Sequence, residues 1–319
     1  MGLWHAFWFL KALMRMPRVK PDQSLTYFHV MTRTCQQAFN LDEKTCPGFK
    51  ETCHQIISAM ASIYHVQIFA WVYMDNHIHL ALSVSKPDCC EEDIRTRYEK
   101  LQQHLKYPRP WRSWYLDRYY SRFTDLSRFM WEINMRIALA YNRRFQTKGH
   151  FWGGRFKSKV LENEDALLRV MAYIEQNPVK AKLCQVPSQY PYCSAGRAKR
   201  KLRAGKMTQP RVPAIGPFKK MSGRFRAECY VMWMDHQSRL LLGKVPLGQS
   251  PPEITAILLG ERECEEWRKA FARGAPSDWR TQSYGSTEFE RHIKQLERRR
   301  RQALDHQMYL KQQKQESGS

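Results

Sequence analysis

At 319 residues, with 53 Lys+Arg against 30 Asp+Glu and a net charge of +23, the chain is long enough for one large domain or two ordinary ones. Its 43% hydrophobic content excludes disorder as the main state, and its excess of cations points to a polyanionic partner, most simply nucleic acid, with a membrane surface second. Residues 3–13 are apolar but broken by His5 and Lys11, too short for a bilayer and without the flanks of a signal peptide, so no membrane role is expected. A start codon placed upstream of Met14 or Met16 would account for residues 1–19 as an extension.

Nine cysteines, with no CxxC pair and no zinc-finger spacing, read as reduced thiols of an intracellular protein. Along the chain, residues 25–33 predict a strand and residues 49–64 a helix with Cys53, Ile56, Ile57, Met60 and Ile63 at helical spacing. Residues 66–73 predict a second strand, joined by the turn Met74-Asp75-Asn76 to a third. In that third strand His77, His79, Ala81 and Ser83 share one face, while Ile78, Leu80, Leu82 and Val84 share the other. Two imidazoles one pleat apart can grip one cation: Zn, Mn, Fe or Ni, or Mg once oxygen donors are added.

Residues 85–123 differ in character, with a charged helical piece (91–106) and an aromatic, proline-rich run (107–120), and read as an insertion. An amphipathic helix over 125–145 turns Leu126, Phe129, Met130, Ile133 and Ile137 inward and leaves Arg128, Arg136, Arg143 and Arg144 outside that stripe. A glycine turn, Gly153-Gly154, feeds a basic strand containing Arg155, Lys157 and Lys159. A helix over 163–177 follows, opened by Asn163-Glu164-Asp165 and stopped by Pro178. Leu167, Val170, Met171 and Ile174 form its core stripe, with Tyr173 and Asn177 stacked on one flank.

The order strand–helix–strand–strand–helix–strand–helix is α+β. Its simplest form is a ferredoxin-like (RRM-like) antiparallel sheet with helices on one face and the histidines on the open face. The domain expected at 20–196 contains the insertion at about 85–123. Residues 197–226, with eleven Lys/Arg and no acid, read as a basic linker. Residues 227–319 read as an accessory region, with a hairpin at 227–245, a helix at 252–274 and a charged helix at 288–315 carrying Arg298-Arg299-Arg300-Arg301. The whole extension is basic and partly helical.

His77 and His79 supply two nitrogens, Asn177 offers a neutral oxygen, and Tyr173 is a candidate nucleophile; Arg169, one turn before it, could lower the cost of its ionisation. A metal with open positions could hold a phosphate oxygen beside that tyrosine. These residues, with Tyr27-Phe28-His29-Val30, Tyr141-Asn142-Arg143-Arg144, Gly154-Arg155-Phe156-Lys157-Ser158 and Tyr173-Ile174-Glu175-Gln176-Asn177-Pro178, resemble the HUH single-tyrosine transposases, in the branch of REP-associated tyrosine transposases.

The resemblance spans roughly residues 20–196. It implies His77, His79 and Asn177 as ligands of Mg or Mn, Tyr173 as nucleophile, and single-stranded or hairpin DNA as substrate, with no organic cofactor. It implies a covalent 5′-phosphotyrosine and strand transfer, in a cytoplasmic, nucleoid-associated protein. In such enzymes the tyrosine helix serves its own chain's histidines or a partner's, so a homodimer is admitted. Arg128, Arg143, Arg144, Arg155, Lys157, Lys159 and Arg169 are the expected DNA contacts. The competing expectation is a nucleic-acid-binding protein of the same fold without catalysis.

Overall fold

The computed structural model describes residues 21, 23–205, 223–241, 283–284 and 286–316. Runs rich in apolar, aromatic and β-branched residues give β1 (Leu25–Arg33) and β2 (Val66–Tyr73), alternation of polar and apolar residues gives β3 (His77–Ser85), and β4 (Lys157–Leu161) is shorter. The sheet order is β2-β3-β1-β4-β5, in which each of the first four strands is antiparallel to its neighbours among them. The two-residue β5 (Ser283–Tyr284) adds in parallel to β4. The bounds expected for β1 and β2 coincide with those observed.

One face carries Phe28, Val30, Ile78, Leu80, Leu82, Val84 and Val160, all buried in a first core. Helix α1 (Phe49–Ala61) and helix α4 (Leu126–Phe145) cover this face with the apolar stripes expected of them. Asp125 caps α4, its carboxylate accepting from Ser127 N at 2.6 Å and Arg128 N at 3.0 Å. The insertion joins this core rather than standing apart. Its helices α2 (Glu91–Gln102) and α3 (Leu116–Phe123) bury Ile94, Tyr98, Leu101 and Phe123 there.

The second face is not open. Helix α5 (Glu164–Glu175) packs Leu167, Val170, Met171 and Ile174 against Ala70, Val72 and Ala81 of the sheet in a second core. Helices therefore lie on both faces, correcting the expectation of one. The reason is the near-complete apolarity of α5, whose Ala166, Leu168 and Ala172 are buried as well and need a cover of their own.

That cover includes α8 (Gly223–Leu241), where residues 227–245 were expected to form a hairpin. Ala227, Tyr230, Val231 and Met234 are buried at helical spacing, and this periodicity overrides the β-prone run around Val231. Pro178 also differs from expectation. It opens a further helical turn, α6 (Asn177–Lys180), because a proline in a first turn lacks only an N–H that needs no partner there.

Helix α7 (Ser194–Arg203) runs across the boundary expected at residues 196–197. The charged tail forms α9 (Thr287–Glu316), whose Phe289, Ile293 and Leu296 rest on the first core. Residues 1–20, all of 206–222 and the helix expected at 252–274 lie outside the described residues. No helix among the described residues is long and apolar enough to cross a membrane.

Candidate functional site

The register of the central strands assembles the second face. Arg33 pairs with His77, Met31 with His79 and His29 with Ala81 across β1 and β3, and His29 also faces Lys159 on β4. Paired residues share a face. Arg33, His29, His77, His79 and Lys159 therefore lie on the side over which α5 packs.

The turn before His77 is fixed from several directions. Met74 N donates to His77 O at 2.9 Å, Leu41 N to Asp75 O at 2.9 Å and Thr34 N to Asn76 O at 3.0 Å. Buried Lys50 pairs with Asp75 at 2.6 Å and donates to the Tyr190 hydroxyl at 2.9 Å. Gly153 lies so close beneath Thr34 that an added Cβ would meet Thr34 O at 2.9 Å, so the position demands glycine. The strand end that presents His77 is thus rigid.

The two imidazoles are held alike. His77 Nδ1 lies 2.6 Å from Asn76 Oδ1, an acceptor, so Nδ1 carries the proton. His79 Nδ1 lies 3.0 Å from Nε2 of His29, which is wholly buried behind it. With Nδ1 engaged in both rings, Nε2 is the nitrogen through which either would ligate a metal. The ring centroids stand 4.9 Å apart, nearly perpendicular. Burial, then Arg33, lowers the His77 pKa to about 4. Burial lowers His79 well below its usual value and His29 to about 3, with neighbouring His29 and Lys159 respectively the next causes. All three are neutral near pH 7, as metal ligands must be.

Tyr173 joins them from α5. Its ring centroid lies 6.0 Å from that of His79 and 5.7 Å from that of His29, edge-on to both. Lys180 Nζ sits over the phenol ring at 4.7 Å. Burial raises the Tyr173 pKa, and the cation that opposes this is Arg33. Arg33, rather than the Arg169 expected from the sequence, holds that position. The signal for Arg33 was its place four residues after His29 on β1, hence on the same face.

Asn177 donates Nδ2 to the carbonyls of Tyr173 at 3.0 Å and Ile174 at 3.1 Å, satisfying the end of α5. Of the expected DNA contacts, Arg128, Arg143, Arg144, Arg155 and Lys157 are exposed and Arg169 is half-buried. Lys159 is a correction: at 1% exposure it lies inside the protein, because the β1–β4 register turns it inward beside His29. Arg144 and the glycine turn that precedes Arg155 lie near the sheet end that carries Arg33 and His77. Arg144 donates to Pro47 O at 2.6 Å just before α1, and Gly153 N bonds Arg33 O at 2.9 Å.

No protein-family model matches the chain, and no curated protein matches it. Solved structures do. A REP-associated tyrosine transposase bound to a REP hairpin matches over 59% of this chain and 87% of that one, at 15% identity and a TM-score of 0.36. At that score the likeness carries no weight for fold or chemistry.

A second group of donors lies elsewhere. His65, Cys89 and Asp93 place a nitrogen, a sulfur and a carboxylate oxygen within 4.8 Å of one another, and could hold a metal ion. Sequence reasoning missed it because His65 stands 24 positions before Cys89; only the pair Cys89 and Asp93, four apart at a helix start, was readable. Among the described residues all eight cysteines are free thiols.

Proposed function

We propose that the chain is a metal-dependent nicking and joining enzyme for single-stranded DNA, a transposase of HUH type built on a ferredoxin-like sheet. The observation that carries this reading is the convergence of His77, His79 and Tyr173 on one sheet face, with Nδ1 of both imidazoles already engaged. Neutral histidines on a rigid strand are a fit donor pair for Mg or Mn completed by oxygen ligands. Asn177 is the proposed third ligand, through Oδ1, since its Nδ2 is committed to the helix end. A bound divalent ion would supply Lewis-acid polarisation of the scissile phosphate.

The chain's own groups do the rest. Tyr173 Oη attacks phosphorus, the P–O3′ bond breaks, and the tyrosine proton ends on the departing 3′ oxygen. The product is a 5′-phosphotyrosine and a free 3′-OH; attack by another 3′-OH reverses the step and joins strands. Arg33 favours the phenolate. Exposed Arg143, Arg144, Arg155 and Lys157 would bind the phosphate backbone around the site.

The test uses the full chain with labelled hairpin DNA and Mn, read as an adduct that survives denaturation. Wild type is expected to form it, and Tyr173→Phe and His77→Ala are expected to lose it. Retention of the adduct by Tyr173→Phe would remove the proposed nucleophile. DNA binding with no adduct on any hairpin would instead favour a non-catalytic binding protein of the same fold.

A further inference from the structure

At the far end of β3 from His77, the root of the insertion gathers three donors of different chemistry. Cys89 Sγ lies 3.5 Å from His65 Nε2, and Asp93 Oδ2 lies 3.4 Å from the same nitrogen. Cys89 and Asp93 also hydrogen-bond one another, so all three donor atoms crowd a single point. A cation between them satisfies all three at once. Tetrahedral zinc, with bonds of about 2.3 Å to sulfur, 2.05 Å to nitrogen and 2.1 Å to oxygen, sets its donors roughly 3.6 Å (S to N) and 3.4 Å (N to O) apart. The observed separations match both.

The surroundings fit a structural ion. Arg97 Nε donates to Asp93 at 2.9 Å while its Nη1 donates to Ile63 O at 3.0 Å, so the carboxylate is held in place. His65 is buried, whereas Cys89 and Asp93 are half-buried, which leaves one side for water. The backbone of His65 also joins both ends of the insertion: its N–H donates to Phe123 O at 2.9 Å and its carbonyl accepts from Ser85 N at 3.0 Å.

We propose that His65, Cys89 and Asp93 bind zinc, with water as fourth ligand, and so fasten the root of the 85–123 insertion to the start of β2. A thiolate, an imidazole and a carboxylate select zinc over Mg or Ca. On binding, the Cys89 S–H bond breaks, its proton passes to solvent and an S–Zn bond forms; nothing is oxidised or reduced.

The site is separate from His77 and His79 and is tested without DNA. The full chain, stripped by chelation, is titrated with zinc, and with Co(II) as a spectroscopic probe. One zinc per chain is expected to be retained after gel filtration, with a thiolate-to-cobalt charge-transfer band. Cys89→Ser and His65→Ala should lose both, whereas Cys90→Ser and the double variant His77→Ala/His79→Ala should keep them. Circular dichroism of Cys89→Ser checks that it folds. No retained zinc in wild type, or zinc and cobalt band both intact in Cys89→Ser, would overturn the site. A hydrogen-bonded triad without metal is the reading left in that case, and the phosphotyrosine assay is unaffected either way.

Discussion

Two buried histidines, His29 and His79, and the half-buried His77, all neutral, set how the fold answers to acid. A histidine with a lowered folded pKa stays neutral while the unfolded chain takes up a proton. Stability is therefore unaffected above pH 6.5 and falls as pH drops from there toward about 4 for His77 and about 3 for His29. Chemical denaturation between pH 7 and pH 4 is expected to show that decline, and it should shrink in His77→Asn. His29→Leu leaves His79 Nδ1 without its buried partner and should cost about 1–3 kcal/mol. On the proposed chemistry, Arg33→Gln should slow adduct formation near pH 8, because it removes the cation that opposes the burial-raised pKa of Tyr173, with Arg33→Lys recovering part of the rate. A rate independent of Arg33 would remove it from the site.

At the scale of elements, two buried carboxylates tie helices together with opposite consequences. Glu132 of α4 is buried and bonded to Arg122 of α3 at 2.6 Å and to Arg136 at 2.7 Å. Glu132→Ala should cost about 3–5 kcal/mol, because two guanidinium groups lose their counter-ion. Glu175 of α5 accepts from Tyr230 Oη of α8 at 2.7 Å and from Ala195 N of α7 at 3.1 Å. Burial raises its pKa to about 7. The folded state then holds a proton that the unfolded chain releases above pH 4.5, so stability is lost as pH rises from about 4.5 to about 7 and is level beyond. In Glu175→Gln, urea midpoints measured between pH 4.5 and pH 7.5 should lose that contribution to the slope. The elements themselves were legible where one period governed. β3 alternated cleanly, β1 and β2 were short runs rich in apolar, aromatic and β-branched residues, and α4 and α5 carried unbroken stripes. The helix α8 was not, since its aromatic and β-branched run mimics a strand and its helical cover emerges only against α5.

Across the whole molecule, the sequence made His77, His79 and Tyr173 readable because each stood on an element of clear period, and register then brought them within one site. His29, Arg33 and Lys159 were not readable, since their importance arises from cross-strand pairing that no local pattern records. A net charge of +23 implies steep salt dependence: the logarithm of the affinity for single-stranded DNA should fall with log salt by about 0.7 per neutralised phosphate. A flat response would detach the charge from nucleic-acid binding.

The clamp on α5 has a consequence for turnover. Held between the sheet and α8, with Glu175 locked at its end, the helix keeps Tyr173 against the imidazoles of its own chain. One copy then contains both halves of the proposed site. Single-turnover cleavage should be first order and independent of enzyme dilution, and any motion that brings a new 3′ end to the linkage belongs to the DNA.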